Sequence, residues 1–222
     1  CQGGMWVEAD CNLISGESMI RQIIHGKNFF MDEFGVDVDN LWLPDVFGYS
    51  AALPQILRKS NIKYFLTQKL SWNQFNDFPH HTFIWKGIDG SEVLTHFPPE
   101  NTYNSELDTE FLIPAQTNFK EKNILDEFIS LFGVGNGGGG PKPENIELGK
   151  RLENIESVPQ VKFGSAKDFF HRLDKISHKL QKWVGELYLE FHRGTFTTHA
   201  KIKKSNRQLE NTLRLVEMLY SC

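Results

Sequence analysis

Cysteine is scarce in this sequence: Cys1, Cys11 and Cys222 are the only three among 222 residues, and two of them stand at its ends. Three thiols so placed make no disulfide framework and favour a reducing compartment over secretion. Long apolar runs are missing too, so no segment reads as a membrane-spanning helix and no membrane partner is expected. Positive charge is in deficit, with 24 Lys and Arg against 28 Asp and Glu for a net charge of −4. No basic patch with interleaved aromatics offsets this, which sets aside a nucleic-acid partner. Neither HExxH nor CxxC spacing occurs, so local motifs alone draw no complete metal site.

What is present suffices for a packed core, because 40% of the residues are hydrophobic. The chain opens without an initiator Met in the strand-like Gln2–Glu8 and stops after a strongly periodic run. We read it as an internal piece of a longer protein, since neither end has the polar character of a fraying terminus.

Strand and helix signals alternate. Trp6-Val7 reads as a strand. Ser15-Gly16-Glu17-Ser18 then starts an amphipathic run (Met19, Ile20, Ile23, Ile24, Phe30, Phe34) that closes at Gly35. Leu41–Leu43 and Tyr64–Thr67 read as strands, with a helix around Leu53–Lys59 between them. Thr82–Trp85 and Val93–Thr95 flank Asp89-Gly90, a hairpin signal. Leu125–Ile129 reads as helical and Leu131–Val134 as a strand. Ser165-Ala166-Lys167-Asp168 resembles a capping box for a helix reaching about Lys182. The pattern predicts an α/β fold with a largely parallel sheet. Ile202, Asn206, Leu209, Leu213, Val216 and Tyr220 fall on one stripe, predicting a long helix after a boundary at 191–195.

Leu41-Trp42-Leu43-Pro44-Asp45-Val46-Phe47-Gly48-Tyr49-Ser50 carries the most chemistry. A strand stops at Pro44 and delivers a carboxylate into a turn. In barrels of alternating strands and helices that position faces the active-site mouth. Asp45 therefore reads either as a nucleophile or metal ligand, or as the cap of the helix that follows. Gln68-Lys69, His96 and Asn136 also follow strand signals, as polar residues around such a mouth would, although loops are polar in any case. The glycine run 135–140 lacks the Gly-Lys-Ser/Thr of a phosphate loop, and Pro141 removes an N–H. It reads as a turn that lets backbone approach a ligand, or as a plain surface loop. His80-His81 point to opposite faces if extended, and these histidines, with His192 and His199, read as structural.

Several segments together resemble glycoside hydrolase family 38, the class II α-mannosidases, in its cytosolic or vacuolar subgroup. They are Trp6–Asn12 with Ser15–Ser18, Trp42–Ser50, Leu66–Asn73, His96–Pro99 with Thr102–Asn104, and Gly185–Thr198. The resemblance covers nearly the whole chain. It implies that residues 1–190 are the C-terminal portion of an α/β barrel-type catalytic domain and that 191–222 begin a helical middle domain. It also implies removal of terminal α-linked mannose from mannose-containing oligosaccharides by a retaining mechanism, in a cytoplasmic protein or, alternatively, a vacuolar or lysosomal one. Asp45 then aligns with the catalytic nucleophile, which in this family also binds zinc (cobalt being an alternative ion). Phe47 would flank the sugar, Lys69 would be a basic group beside the nucleophile, and Tyr103 would contact a sugar hydroxyl. The partner carboxylic acid should lie roughly 5–5.5 Å from Asp45.

Two departures from the family pattern matter. The family's other zinc ligands, a His-x-Asp motif and a later His, precede and follow the stretch represented here, so this chain alone is expected to be inactive. Where the subgroup has Gly-Asp-Gly-Gly-Gly-Gly-Pro, this chain has Asn136, an amide at the position of the general acid/base. An amide transfers no proton, and that transfer is worth about 10²–10⁴-fold. The alternatives are therefore a catalytically impaired mannoside-binding protein or an α/β scaffold whose strand-end polar residues are incidental. Oligomerisation through parts outside this chain stays open.

Overall fold

The computed structural model describes residues 2–135 and 138–222. Five strands form one mixed sheet in the order β1-β2-β4-β3-β5: β1 Asn40–Trp42, β2 Tyr64–Leu66, β3 Thr82–Lys86, β4 Glu92–His96 and β5 Lys182–Val184. Strands β1, β2 and β4 run parallel, β3 is antiparallel to β4, and β5 is parallel to β3. The six helices among the described residues are α1 Gly16–Phe34, α2 Leu53–Lys59, α3 Thr109–Asn118, α4 Pro143–Arg151, α5 Ala166–Asp174 and α6 Ala200–Tyr220.

Alternation along the strands feeds two cores. Leu41, Phe65, Phe83, Trp85 and Val93 pack with Met19 and Ile23 of α1 and with Leu53 and Leu57 of α2. Tyr64, Leu66 and Leu94 point the other way, onto Ala166, Phe169, Phe170 and Leu173 of α5. Both faces are covered, which is why β2 reads as a continuous apolar run rather than an alternating one. The predicted α/β class stands. Among the described residues the sheet is open, with β1 and β5 at its edges, and is not closed into a barrel.

Helix α1 follows its sequence signals closely. The Ser15 side chain accepts from the Ser18 N–H, and Gly35 closes the helix in the left-handed region at φ 64°. The Asp89-Gly90 hairpin pairs β3 with β4 as predicted. Helix α6 also forms as predicted, and no residue of it is buried. It meets α1 through a polar row in which Glu210 accepts from Ser15 N (2.9 Å) and Ser18 Oγ (2.6 Å), while Arg21 pairs with Glu217.

Other expectations fail. Trp6 and Val7 are exposed in a bend, and the strand contact near them is a single bridge from Gly3 to Leu41. Residues 125–129 are not helical. Their apolar side chains pack directly on the α5 core, which stabilises an irregular chain as well as a regular one. Residues 131–134 make only isolated bridges, Phe132 to Ser105 and Val134 to Gly139. Helix α5 stops at Asp174, and the stretch expected to end it becomes edge strand β5. Periodicity alone does not separate short helices from strands, and pairing to β3 decides this one.

Candidate functional site

Three parallel strands end on the same side of the sheet, and register fixes what meets there. Trp42 pairs with Leu66, and Leu66 with His96. Asp45 and Lys69 each lie three residues beyond these partners, so adjacent strands bring them to the same height. In open α/β sheets this carboxyl-end crevice is where ligands bind. Lys69 Nζ lies 2.6 Å from Asp45 Oδ1. The Lys69 side chain is only 6% exposed, whereas that of Asp45 is 43% exposed. One Asp45 oxygen is thus held inside by the cation while the carboxylate edge stays open to solvent.

The turn carrying Asp45 is anchored by Tyr49, whose side chain is fully buried. Its hydroxyl donates to Leu43 O (2.8 Å) and Val46 O (3.2 Å) and lies 2.6 Å from Thr67 Oγ1. Carbonyls cannot donate, so the phenol proton goes to them and Thr67 donates to Tyr49. Burial pushes the Tyr49 phenol well above its usual value, so it keeps that proton. Asp45 N–H donates to Glu8 Oε1 at 3.0 Å, and Asn12 Nδ2 donates to Phe47 O at 3.1 Å. Gly48 adopts φ 112°, which favours glycine, and a Cβ there would meet Asn12 and the Leu187 carbonyl. Tyr49 and Leu187 exchange backbone hydrogen bonds of 2.8 and 3.0 Å, fixing the turn to the 187–190 segment.

Aromatic rings surround the ion pair. Lys69 Nζ lies 4.0 Å from the Trp72 ring centroid, 5.5 Å from that of Phe47 and 5.7 Å from that of Tyr103. Tyr103 lies against Asp45, and its phenol is pushed up to about 12, by burial first and by the Asp45 carboxylate second. The His192 ring stands 4.7 Å from Phe47 and 5.7 Å from Trp72. Glu190 holds the two loops together by accepting from Phe75 N, Asn76 N and Asn76 Nδ2. Glu8 is raised above its ordinary value by burial of its carboxyl and by the Asp45 carboxylate, although the Asp45 N–H hydrogen bond and then Lys69 pull the other way.

The structure therefore brings Asp45, Phe47, Lys69 and Tyr103 together. Asn136 lies outside the described residues, so its distance from Asp45 is not part of this geometry. His96 is not at the site. It is wholly buried, accepting from Ile129 N at Nε2 and hydrogen-bonding Thr82 Oγ1 at Nδ1. His80 and His81 are structural as expected. The buried Glu121 accepts from His81 N and Thr82 N and lies 3.2 Å from His80 Nδ1, and burial lowers His81 to about 4.

Three neighbours of the site were missed. Trp72 was within reach of sequence reasoning, because Lys69–Trp72 is one 3₁₀ turn and its i and i+3 side chains eclipse. His192 and Glu8 carry no such signal; tertiary contacts alone place them.

The fit to a metal ion is incomplete. Asp45 Oδ1 is buried and, its ion pair with Lys69 aside, has no hydrogen-bond partner among the described residues. Among those residues, however, no three His, Cys, Asp or Glu side chains converge to hold an ion. One carboxylate beside a lysine is not a zinc site.

Comparison with known proteins gives a consistent result. Residues 1–186 match the family model "Glycosyl hydrolases family 38 N-terminal domain", and residues 190–222 match "Alpha mannosidase middle domain". The chain is 51% identical over 219 residues to human Alpha-mannosidase 2C1, covering 99% of this chain and 21% of that protein. It is 42% identical over 226 residues to the Saccharomyces cerevisiae Alpha-mannosidase, covering 98% and 21%. It thus spans about a fifth of the length of these curated relatives. The crystal structure of an alpha-mannosidase from Enterococcus faecalis superposes with a TM-score of 0.64 at 18% identity, over 83% of this chain and 22% of that one, a likeness of fold.

Proposed function

This chain belongs to glycosyl hydrolase family 38, and from that premise we propose that the full-length protein is a retaining α-mannosidase acting on terminal α-linked mannose of oligosaccharides. The observation that carries this reading is Asp45 at the sheet's carboxyl edge, paired to a buried lysine and ringed by Phe47, Trp72 and Tyr103. A carboxylate with one oxygen held and its edge open suits attack on an anomeric carbon, and flat apolar rings suit the faces of a sugar.

In this mechanism an oxygen of Asp45 bonds to the anomeric carbon as the glycosidic C–O bond breaks, and the leaving oxygen departs with the bonding pair. Water then displaces Asp45 from the resulting ester, giving up one proton to solvent and restoring the starting configuration. Lys69 and the Tyr49-anchored turn hold Asp45 in place for both displacements, while Tyr103 and Phe47 orient the sugar. The Asn136 amide cannot protonate the leaving oxygen, so that proton comes from solvent water and the half-step is slow. Leaving groups that need no proton react best in this sequence. The relatives are named as α-mannosidases, which favours the enzyme over an impaired binding protein.

The described residues do not by themselves make a zinc site, and no step above uses a metal. We place the boundary between the catalytic and helical middle domains at residues 190 and 191. A reducing compartment such as the cytoplasm suits free Cys11 and Cys222.

The test uses the full-length protein carrying this segment, an activated aryl α-mannoside and an α-linked mannobiose. Turnover of the aryl substrate with a mannosyl ester trapped on Asp45, lost in Asp45→Asn, is the expected result. An ester on another residue, or undiminished turnover in Asp45→Asn, overturns the assignment.

A further inference from the structure

Glu100 lies outside the ring of residues around Asp45 and takes no part in the mechanism above, yet its carboxyl joins two segments that frame the site. One carboxyl oxygen lies 3.1 Å from Ser105 Oγ and the other 2.7 Å from Ser130 Oγ. Beside this clip, Ser105 N–H donates to Leu131 O at 2.8 Å, and Ser105 and Phe132 form an isolated bridge. Between Glu100 and Ser105 lies the turn bearing Tyr103, which rests on Asp45 and Lys69, and Asn104. Beyond Ser130 the chain runs to Gly135, where a Cβ would sit 2.6 Å from Asn104 Nδ2. The Tyr103 turn and the 130–135 segment therefore meet through the Asn104 side chain, and Glu100 spans their base.

We propose that Glu100 is a positioning residue: its neutral carboxyl clamps the Tyr103 turn to the 130–135 segment, and ionisation loosens that clamp.

The charge environment sets the direction. Asp108, at the start of α3, is the charged group acting on Glu100, and it is of like sign. Among the described residues no Lys, Arg or His forms a salt bridge with Glu100. Burial raises Glu100 to about 7, against the lowering effect of the Ser130 and Ser105 hydroxyls. A carboxyl raised in the folded state stabilises that state when protonated, and the contribution is lost as pH rises through the folded value. The contribution is therefore full below about pH 4.5, is lost progressively up to about pH 7 and levels off above it, so the clamp is weaker at neutral than at mildly acidic pH. Both serine hydroxyls donate to the carboxyl oxygens, so these bonds persist on ionisation and the loosening comes from the cost of holding a charge away from water beside Asp108. By linkage, a group moved from an ordinary 4.5 to about 7 makes local opening about tenfold easier between pH 6 and pH 8.

The inference rests on the α-mannosidase reading only for its catalytic consequence. Hydrogen exchange of peptides covering 101–107 and 128–135 in the full-length protein, corrected for intrinsic exchange, tests the clamp itself. Wild type should lose about tenfold protection from pH 6 to 8. Glu100→Gln, a permanently neutral isostere, should hold its protection across that range. Ser130→Ala, which removes a hydroxyl that lowers Glu100, should extend the loss to higher pH. On the aryl α-mannoside, kcat should fall between pH 6 and pH 8 in wild type and less steeply in Glu100→Gln, with KM nearly unchanged. If Glu100→Gln tracks the wild-type exchange profile across pH, the proposal is overturned. If neither protein turns over any mannoside, the α-mannosidase reading fails while the exchange result still judges the clamp.

Discussion

Tyr49→Phe isolates what holds Asp45 in position. The substitution keeps the ring, packed 4.9 Å from Phe65 and 6.4 Å from Trp85, and removes one oxygen. That oxygen satisfies Leu43 O and Val46 O and accepts from Thr67, in surroundings where Leu43 and Thr67 are 1% and 0% exposed. Water cannot replace it. A buried polar group left without a partner costs about 1–3 kcal/mol, and Thr67 can recover part of this by rotating its hydroxyl. The net cost is about 2 kcal/mol, concentrated in the 43–49 turn. Expressed as local opening, this is about 30-fold less protection of the amides of Leu43, Tyr49 and Gln68, whose acceptors are Leu66 O, Leu187 O and Pro44 O. Hydrogen exchange of the full-length protein measures it, and kcat on an aryl α-mannoside should fall by up to about 100-fold as Asp45 drifts from its bonding position. Unchanged protection, or a loss spread evenly across β1, β2 and β4, would refute the argument that one hydroxyl pins the 43–49 turn.

Asn136→Asp should raise mannobiose cleavage by about 10²–10⁴-fold while changing aryl mannoside cleavage far less; equal gains on both substrates would place the missing proton elsewhere. Gly135→Ala drives a Cβ to within 2.6 Å of the Asn104 side-chain amide, which can swing aside, and should destabilise the 102–105 turn by no more than about 1 kcal/mol, read by exchange, an effect that Asn104→Gly in the same molecule should relieve. Trp72→Ala, removing the ring 4.0 Å from Lys69 Nζ, should raise KM for the mannoside by about 5–30-fold, and an unchanged KM would take Trp72 out of the sugar site. Metal analysis of residues 1–222 expressed alone should find well under one zinc per chain, since no three donors converge among the described residues; one tightly held ion would show that the donor set was misjudged.

The sequence by itself determined the elements whose signals are local. Ser15 and Gly35 bracket α1, Asp89-Gly90 turns β3 into β4, and the stripe from Ile202 to Tyr220 makes α6, because caps, turns and 3.6-residue periods act within a few residues. It also determined that Asp45 and Lys69 each follow a strand, and its long motifs identified the family. The structure decided what depends on partners far away in the chain. Residues 125–129 have helical composition but stay irregular, because the α5 core rewards their burial without requiring a helix. Residues 182–184 become a strand only because β3 offers an open edge. Register between parallel strands turned two strand-end residues 24 positions apart into an ion pair at 2.6 Å. His192 beside Phe47 and Glu100 between Ser105 and Ser130 have no local signature, since burial, electrostatic fields and cross-chain hydrogen bonds exist only once the sheet has assembled.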